Sequence, residues 1–548
     1  MYWWQQGCTG GNRGELVVAG VYWWQQRNNG AYVSYATKLM PLLTVKETLH
    51  YTTDLYYSRR MPRKRKHEKV RCAVTELDLV LIEDDLIRNV TESERRKVVI
   101  GLQLLRDPLV VLVEEPMTGM DSFGANAIVA LLSRFAKKYS RIVLFTAHRP
   151  QSDIYPMVDK VAYLCSGEVV YTGYTKSMLE YYHKIGCPCP EFENPLDFFL
   201  TMASLDRRTP ARLLETTTNV DKLKVKFEQY ETLHQPYYGD RRDEFNRIDV
   251  YQSRRPMSSW GQPGFVSKIF TLTRRATWHL CRDWRHLSVR LLQLPLFAIL
   301  LFLFVWRLQE NQAGIQTRLG VLFYSFAGTS FLSCLTTPFH FAFHRNIYHQ
   351  EAREGIYGGH SFVLSQMLYT VLPNFAGVCG GAAIIYWASL MATDVAKYFM
   401  FALTIWCVYS YAEVQTIAVM WFVGDPFVAM EISSFMSIVS LVAGSGFLRP
   451  INSLPDYVYV PTFATIHRYA GYVVADNEFT DMGNDTCDNE DYRGDLCRYT
   501  SGRDVMSKLW PENNGISFSS FQIMFILYGV LCVIAVVLHA TPWRRKSS

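Results

Sequence analysis

Six long apolar runs in the second half of the chain constrain its fold more than any other feature. They lie at roughly 288–306, 319–342, 362–388, 396–423, 427–448 and 517–540. A helix crossing about 30 Å of hydrocarbon needs around 20 residues, and each run supplies that or nearly so. One such run fits a buried helix of a soluble protein. Six in one half predict an all-α polytopic membrane domain of six transmembrane helices. The charge agrees: up to Arg285 there are 41 Lys+Arg and 32 Asp+Glu, a net of +9, and from His286 onward 15 and 18, a net of −3. Over the whole chain 19% of residues are charged, below the roughly 25% usual in soluble proteins. A wholly soluble enzyme, a disordered chain and a small disulfide scaffold are excluded. The basic excess is spread along the first half without a recognition motif, so nucleic acid is not an expected partner.

Basic residues near the span ends set the expected orientation. Arg282, Arg285 and Arg290 precede span one, and Arg544, Arg545 and Lys546 follow span six. An even number of spans puts both termini on one side, the cytoplasm. The turn between spans two and three, with Arg345 and Arg353, then faces the same side. The loop at about 450–515 falls outside and holds 5 basic and 11 acidic residues. It carries a glycosylation sequon at Asn484; Asn89 begins another in the cytoplasmic half. Cys487 and Cys497 share the loop, where an oxidising compartment favours a disulfide over two free thiols. MYWWQQGC at the N-terminus has no basic region or apolar core of a signal peptide, so span one is the expected insertion signal. Glu413 and Glu431 fall within spans four and five. An ionisable group there must face the bundle interior or water, as a polar relay or as an interhelical hydrogen bond that fixes packing.

In the first half, residues 108–121 read PLVVLVEEPMTGMD. The β-branched run Val110–Val113 predicts a buried strand that ends in two carboxylates, Glu114 and Glu115. A helix is expected over Ser122–Tyr139, and a second strand from Arg141 leads to His148. Strand, helix and parallel strand bring these polar groups to one sheet edge, where open α/β sheets bind ligands.

This order resembles the nucleotide-binding domain of an ATP-binding-cassette (ABC) transporter. Val110–Glu115 is similar to the Walker B strand, Thr118-Gly119-Met120-Asp121 to the D-loop, and His148 to the switch histidine. Thr91-Glu92-Ser93-Glu94-Arg95-Arg96 stands upstream, where the signature motif belongs. The soluble part precedes the membrane part, as in the G subfamily of half-transporters, and Asn194-Pro195-Leu196-Asp197-Phe198 resembles that subfamily's NPADF motif. LTVKETLHYT (43–52), CPCPEFENPLDFF (187–199) and GSGFLRP (444–450) narrow the resemblance to the sterol-exporting members. It runs from about residue 14 to the C-terminus.

The resemblance implies a multidomain chain. An incomplete α/β ABC nucleotide-binding domain occupies 1–203 and a connector 204–262. An amphipathic connecting helix at the membrane surface follows at 263–286, and the six-span membrane domain fills 287–548. Phe265, Ile269, Leu272, Ala276 and Leu280 fall at helical spacing in the connecting helix. The implied setting is the plasma membrane, with the nucleotide domain cytoplasmic. ATP and Mg²⁺ are the implied cofactors, and the protein alone holds no metal. The implied partners are a second G-subfamily half-transporter, in a heterodimer, and a sterol or related lipid as substrate. In the family Glu115 stands where the attacking water is polarised and His148 where the γ-phosphate is contacted. Glu114 stands at the Mg²⁺-linked carboxylate, Asp121 in the D-loop and Lys38 at the Q-loop glutamine. Val439, Val442 and Phe447, in span five, are candidates for an apolar substrate path, with ordinary helix packing as the alternative.

Several positions depart from the family pattern. No Gly-x-x-x-x-Gly-Lys-Ser/Thr loop, the Walker A cradle for phosphates, occurs in this sequence. GCTGGNRG (7–14) is Gly-rich without a lysine and resembles the stretch after that loop, just before the strand-like Glu15–Ala19. The sequence is thus expected to begin past the Walker A position. Lys38 replaces a glutamine, Glu114 an aspartate, and Glu92 and Ser93 the signature glycines. Two unit charges about 4 Å apart at an effective dielectric near 20 repel by roughly 4 kcal/mol, so a glutamate here opposes a γ-phosphate. The degenerate signature, Thr91 to Glu94, is not expected to clamp ATP. Two readings follow: a half-transporter subunit coupling ATP to lipid export, or a non-hydrolysing regulatory or scaffolding subunit. An unrelated channel or receptor is opposed by the acid pair, D-loop and histidine in sequence. The basic run 58–71 is expected as a solvated face, with anionic lipid or a partner as the alternative. Tyr22–Gln26 repeats Tyr2–Gln6, for which there is no physical account.

Overall fold

The short β-branched runs and the long apolar runs fold into separate units. The structure, a computed structural model, describes residues 30–239 and 261–541, apart from 36, 149, 307, 309–311, 392–393, 481, 483–498 and 511–516. The YWWQQ repeat, GCTGGNRG, Glu15–Ala19, Asn484, Cys487 and Cys497 lie outside the described residues. One unit comprises residues up to Pro263 with Arg353–Gly355, and the other the remainder from Gly264.

In the first unit three strands, β1 (Gly30–Val33), β2 (Val110–Val113) and β3 (Ile142–Phe145), pair in parallel in that order. Helices α1 (Val45–Tyr56), α2 (Arg63–Glu76), α3 (Glu92–Leu104) and α4 (Ser122–Tyr139) complete this part. β2 and α4 begin and end where the sequence predicts. Val33, Val111 and Val113 share a core with Val98 and Ile100 of α3 and Ile128 and Leu132 of α4. Thr44 opens α1 with a reciprocal cap: its side chain takes the Glu47 amide and Glu47 takes the Thr44 amide.

A second core lies under an antiparallel hairpin, β4 (Lys160–Cys165) and β5 (Glu168–Tyr174). Helices α5 (Thr175–Lys184), α6 (Pro195–Met202) and α7 (Pro210–Gly239) pack on it, with Tyr182 stacked on Phe199 at 3.7 Å. The Asn-Pro pair opens α6. Asn194 Oδ1 accepts the Leu196 amide, Pro195 takes a first-turn position, and Asn194 Nδ2 donates to the Pro150 carbonyl at 2.7 Å. Residues 204–262 were expected as a connector. α7 lies within them and buries Val220, Leu223 and Phe227 in this core.

The second unit opens with α8 (Phe265–Arg282), whose Ile269, Leu272, Ala276 and Leu280 are buried as the spacing predicts; Phe265 is exposed. Six helices are long and apolar enough to cross a membrane. They are α9 (Trp284–Val305), α10 (Gln312–Arg353), α11 (Gly359–Ala383, with a π-turn to Ala388), α12 (Val395–Phe422), α13 (Pro426–Gly444) and α17 (Ser517–Ala540). α10 exceeds the predicted 319–342. Its 42 residues span about 63 Å at 1.5 Å each, twice a hydrocarbon core. α9 and α11 pack closely at Gly377 and Gly381, a small-xxx-small pair. A Cβ on Gly377 would lie 2.7 Å from the Arg290 carbonyl oxygen, and one on Gly381 3.0 Å from Leu294.

The segment 450–515 corrects the sequence reading. It is not only a loop: α14 (Asp456–Thr462), α15 (Ile466–Phe479) and α16 (Gly502–Leu509) form within it. α15 enters the core with Ile466, Ala470, Tyr472 and Phe479. It has 14 residues and carries Arg468, Asp476 and Glu478, too short and too charged to read as a buried apolar helix. Glu478 pairs with Arg318 of α10, and both ring nitrogens of His467 meet hydroxyls, those of Ser330 and Ser440.

Polar residues within the spans divide. Glu413 of α12 is buried and accepts from Arg290 at 3.2 Å, Asn374 at 2.7 Å and Thr370 at 3.3 Å, tying α9, α11 and α12 together. Arg290, expected as a flanking cation, is thus inside the bundle. Arg345, expected in the turn, lies on α10 and donates to the Met420, Val423 and Gly424 carbonyls at the end of α12. Glu431, expected to face the interior or water as Glu413 does, is exposed on α13 and makes no hydrogen bond among the described residues. Phe447 corrects the predicted span five as well. α13 ends at Gly444, and Phe447 lies beyond it, buried between Phe326 and Trp510. Val439 and Val442 are on α13 and half exposed.

Candidate functional site

Three parallel strands end on one edge, so the segments after them converge. The ladder runs one step past the strands, with the Glu114 amide on the Val33 carbonyl at 2.9 Å and the Thr146 amide on the Val113 carbonyl at 3.1 Å. Glu114 and Glu115 follow β2, His148 follows β3, and Lys38, exposed, follows β1.

The two acids have different surroundings. One oxygen of Glu114 accepts three hydrogen bonds, from the Tyr32 and Ser34 hydroxyls at 3.0 Å each and the Tyr35 amide at 3.1 Å. Burial raises its pKa, but these bonds and the nearby Arg96 outweigh burial and hold it below the ordinary value. Tyr32 answers in the opposite sense: burial and the Glu114 carboxylate push its hydroxyl up to about 12.

Glu115 has an unusual backbone. Its φ of 40° is unusual for a side chain with a Cβ and costs on the order of 1–3 kcal/mol. The turn is held at both ends: the Glu115 amide donates to Thr146 Oγ1 at 3.0 Å, and Thr118 Oγ1 donates to Glu115 Oε2 at 2.7 Å. Its other oxygen lies 2.7 Å from His148 Nε2, whose side chain is 84% exposed. At that exposure the pair adds little to stability; it fixes a carboxylate and an imidazole side by side at an open edge.

Arg96, on α3, joins this edge to the signature-like segment. Its guanidinium donates to the Ser34 carbonyl at 2.7 Å and to the Glu114 carbonyl, and it lies over the Tyr35 ring at 5.7 Å. Burial lowers its pKa, and Glu114 works against that. The contacts of Arg96, Thr146, Tyr32 and Ser34 at this edge could not be read from the sequence, because their partners are 18 to 82 positions away.

The start of α3 is closed by its own side chains. Thr91 accepts the Glu94 amide, and Glu94 Oε2 takes the Thr91 amide and hydroxyl, both at 2.9 Å. Glu92 adds a second first-turn acid, 3.4 Å from Arg95. A helix N-terminus attracts anions through its free amides; here two carboxylates already supply that charge. Asp121 caps α4 through the Gly124 amide. A Cβ at Gly124 would come within 2.7 Å of Asp121 Oδ1 and 2.9 Å of Ser93 Oγ, so Asp121 and Ser93 meet there.

Among the described residues, no three His, Cys, Asp or Glu side chains are arranged to hold a metal ion. The donor chemistry at the edge nonetheless suits Mg²⁺, which keeps several waters and takes only one or two carboxylates. The Glu114 oxygen without the three donors and the Glu115 carboxylate are the hard oxygens available.

Residues 267–479 match the family model described as ABC-2 type transporter. Over 518 residues the chain is 29% identical to the ATP-binding cassette sub-family G member 5 of Homo sapiens, covering 92% of this chain and 78% of that protein. It is 24% identical over 480 residues to the broad substrate specificity ATP-binding cassette transporter of Rattus norvegicus, covering 84% and 72%. It is 28% identical over 409 residues to sub-family G member 8 of Homo sapiens, covering 71% and 59%. Six apolar helices and the ABC-2 match define an integral membrane protein of the ABC transporter class. Within that class the chain is similar, over 71 to 92% of its length, to members of the G subfamily of half-transporters.

Proposed function

We propose that this chain is one half of a heterodimeric lipid exporter and supplies one competent and one degenerate half-site for ATP. The observation that carries the reading is the contrast between the Glu115–His148 pair, 2.7 Å apart at an open sheet edge, and the self-capped start of α3. In a dimer of ABC subunits each nucleotide lies between the strand edge of one chain and the signature of the other. The strand edge here would face the partner's signature; Thr91–Glu94 would face the partner's strand edge, and two acids there repel a γ-phosphate.

ATP and Mg²⁺, when bound, supply the phosphoryl group and its charge neutralisation. The chain's own residues do the rest. Glu115 accepts a proton from a water beside it. His148 holds the Glu115 carboxylate in place at the same edge. Glu114, kept ionised by its donors, would hold Mg²⁺ with its remaining oxygen. Closure on nucleotide would be passed through α8 to α9. The resemblance to sterol-exporting members and the apolar, half-exposed Val439 and Val442 support a sterol or related lipid as cargo. Phe447, packed between aromatic rings, has a structural role in this reading.

A second reading, a non-hydrolysing regulatory or scaffolding subunit, rests on a specific observation. Three protein donors already occupy one Glu114 oxygen, and Thr118 and His148 occupy both oxygens of Glu115. The two readings separate on Glu115→Gln in the native pair reconstituted in lipid. ATPase activity should fall to background if the edge is competent; unchanged turnover would leave the scaffolding reading.

A further inference from the structure

Four histidines meet where α8, α9 and α10 join. His279 is on α8, His286 on α9, and His340 and His344 stand one turn apart on α10. Their rings form a continuous row. His286 stacks on His340 at 4.0 Å, His340 lies 4.7 Å from His344, and His344 lies 5.9 Å from His279. His279 and His344 are 4% and 2% exposed. Both ring nitrogens of His279, and Nε2 of His286, His340 and His344, are buried and make no hydrogen bond among the described residues. Buried polar atoms are nearly always paired, so a row of unpaired ones calls for an explanation. His467, with a hydroxyl on each ring nitrogen, shows the ordinary arrangement.

The row has no free counter-charge. The charged groups facing it are Arg275 on α8, Asp283 at the end of α8, and Arg290 on α9. Arg275 donates to Glu351 of α10 at 2.6 and 2.8 Å, and the Tyr357 hydroxyl donates to the same carboxylate. Arg290 is paired with Glu413 of α12. α11 presents Tyr369, whose ring lies 5.8 Å from His340 and 5.9 Å from His344. Asp283 caps α9 through the His286 amide at 3.3 Å. Burial holds the His279 pKa down to about 4, with Asp283 opposing and Arg275 assisting. No three of these side chains are arranged to hold a metal ion, so the proton is the cation to which the row answers.

We infer that this row is an acid-sensitive latch: neutral rings hold α8 and the start of α9 on α10, and proton uptake releases them. When the joint opens, each ring meets water and regains the ordinary imidazole value near 6.5. The depressed His279 pKa therefore stabilises the closed joint fully above 6.5, and that contribution is lost as the pH falls from 6.5 toward 4. The latch works whether or not the strand edge turns over nucleotide.

The test is amide hydrogen exchange over 276–290 in the full chain, in phosphatidylcholine nanodiscs, with rates corrected for the intrinsic effect of pH. Each freed ring adds about tenfold to the open population between about pH 7.5 and 5.5, so the wild type should gain about 100-fold or more, the work of at least two rings. His340→Phe and His344→Phe, made singly, should each cut that gain by about tenfold. His340→Gln and His344→Gln should do the same, which separates loss of a proton site from a change in ring packing. If a variant fails to fold, the wild-type slope still decides: two or more protons taken up per opening support the latch, and one or none overturns it. A gain undiminished in every variant that folds would overturn it too. So would slower exchange with Zn²⁺ at neutral pH, which would mean that the rings gather around a metal.

Discussion

The end of β2 and the start of α3 each carry two acids within a few residues, and they use them in opposite ways. At β2 the backbone bends at a positive φ at Glu115, and Thr118, Thr146 and His148 hold that residue in place. At α3 Glu94 folds back on Thr91 and completes a capping box. One region bears local strain to keep a carboxylate presented. The other relaxes into an ordinary helix start. In the proposed reading the strain retained beside a histidine belongs to a functional edge, and the satisfied cap to a position released from ligand binding. Arg96 shows that the second region still serves the first, since it begins on α3 and ends on the carbonyls behind Glu114.

The largest expected effect falls on the strand edge. Glu115→Gln should lower ATP turnover of the pair by about 100-fold or more, the scale of losing a positioned general base, with an unchanged melting midpoint. Arg96→Met comes next. It strips a buried cation from at least two carbonyls and should cost about 2–4 kcal/mol, read by thermal unfolding. A mild cost would mean that α3 does not support the edge. Thr91→Ala should cost about 1 kcal/mol, the usual worth of a helix cap, and leave turnover alone. Glu92→Gly with Ser93→Gly, which restores the family residues, should also leave turnover within twofold or so. A large gain or loss from either change at α3 would erase the contrast.

The smallest effect concerns acid. The Glu114 pKa is depressed in the folded chain, so its contribution to stability is complete above the ordinary value of 4.5 and is lost as the pH falls below it. Between that value and the lower folded one, the wild type should lose stability on acidification faster than Glu114→Gln. Parallel unfolding curves for the two would show that the three donors do not favour the charged form.

Much of this was legible in the sequence because it rests on local pattern. β2 and α4 follow from a β-branched run and a helical stretch beginning after Asp121, and the six spans follow from their length in apolar residues. Parallel pairing then brings Glu115 and His148 to one edge. What was not legible depends on partners far along the chain. Glu413 and Glu431 look alike within apolar runs, but only Glu413 meets an arginine, Arg290, on another helix. Removing one member of such a buried pair costs several kcal/mol, and nothing in either sequence context announces it. α15 hides a buried helix behind charged residues held in place, Glu478 by Arg318 and Arg468 by the Thr462 hydroxyl and the Phe463 ring. The extra length of α10 carries polar residues past the apolar stretch, where hydropathy is silent.

The most direct test of the asymmetry is vanadate trapping of labelled nucleotide in the native pair. One trapped nucleotide per dimer is expected, lost with Glu115→Gln and kept with Glu92→Gly and Ser93→Gly. Two trapped nucleotides per dimer, or one that survives Glu115→Gln, would contradict it.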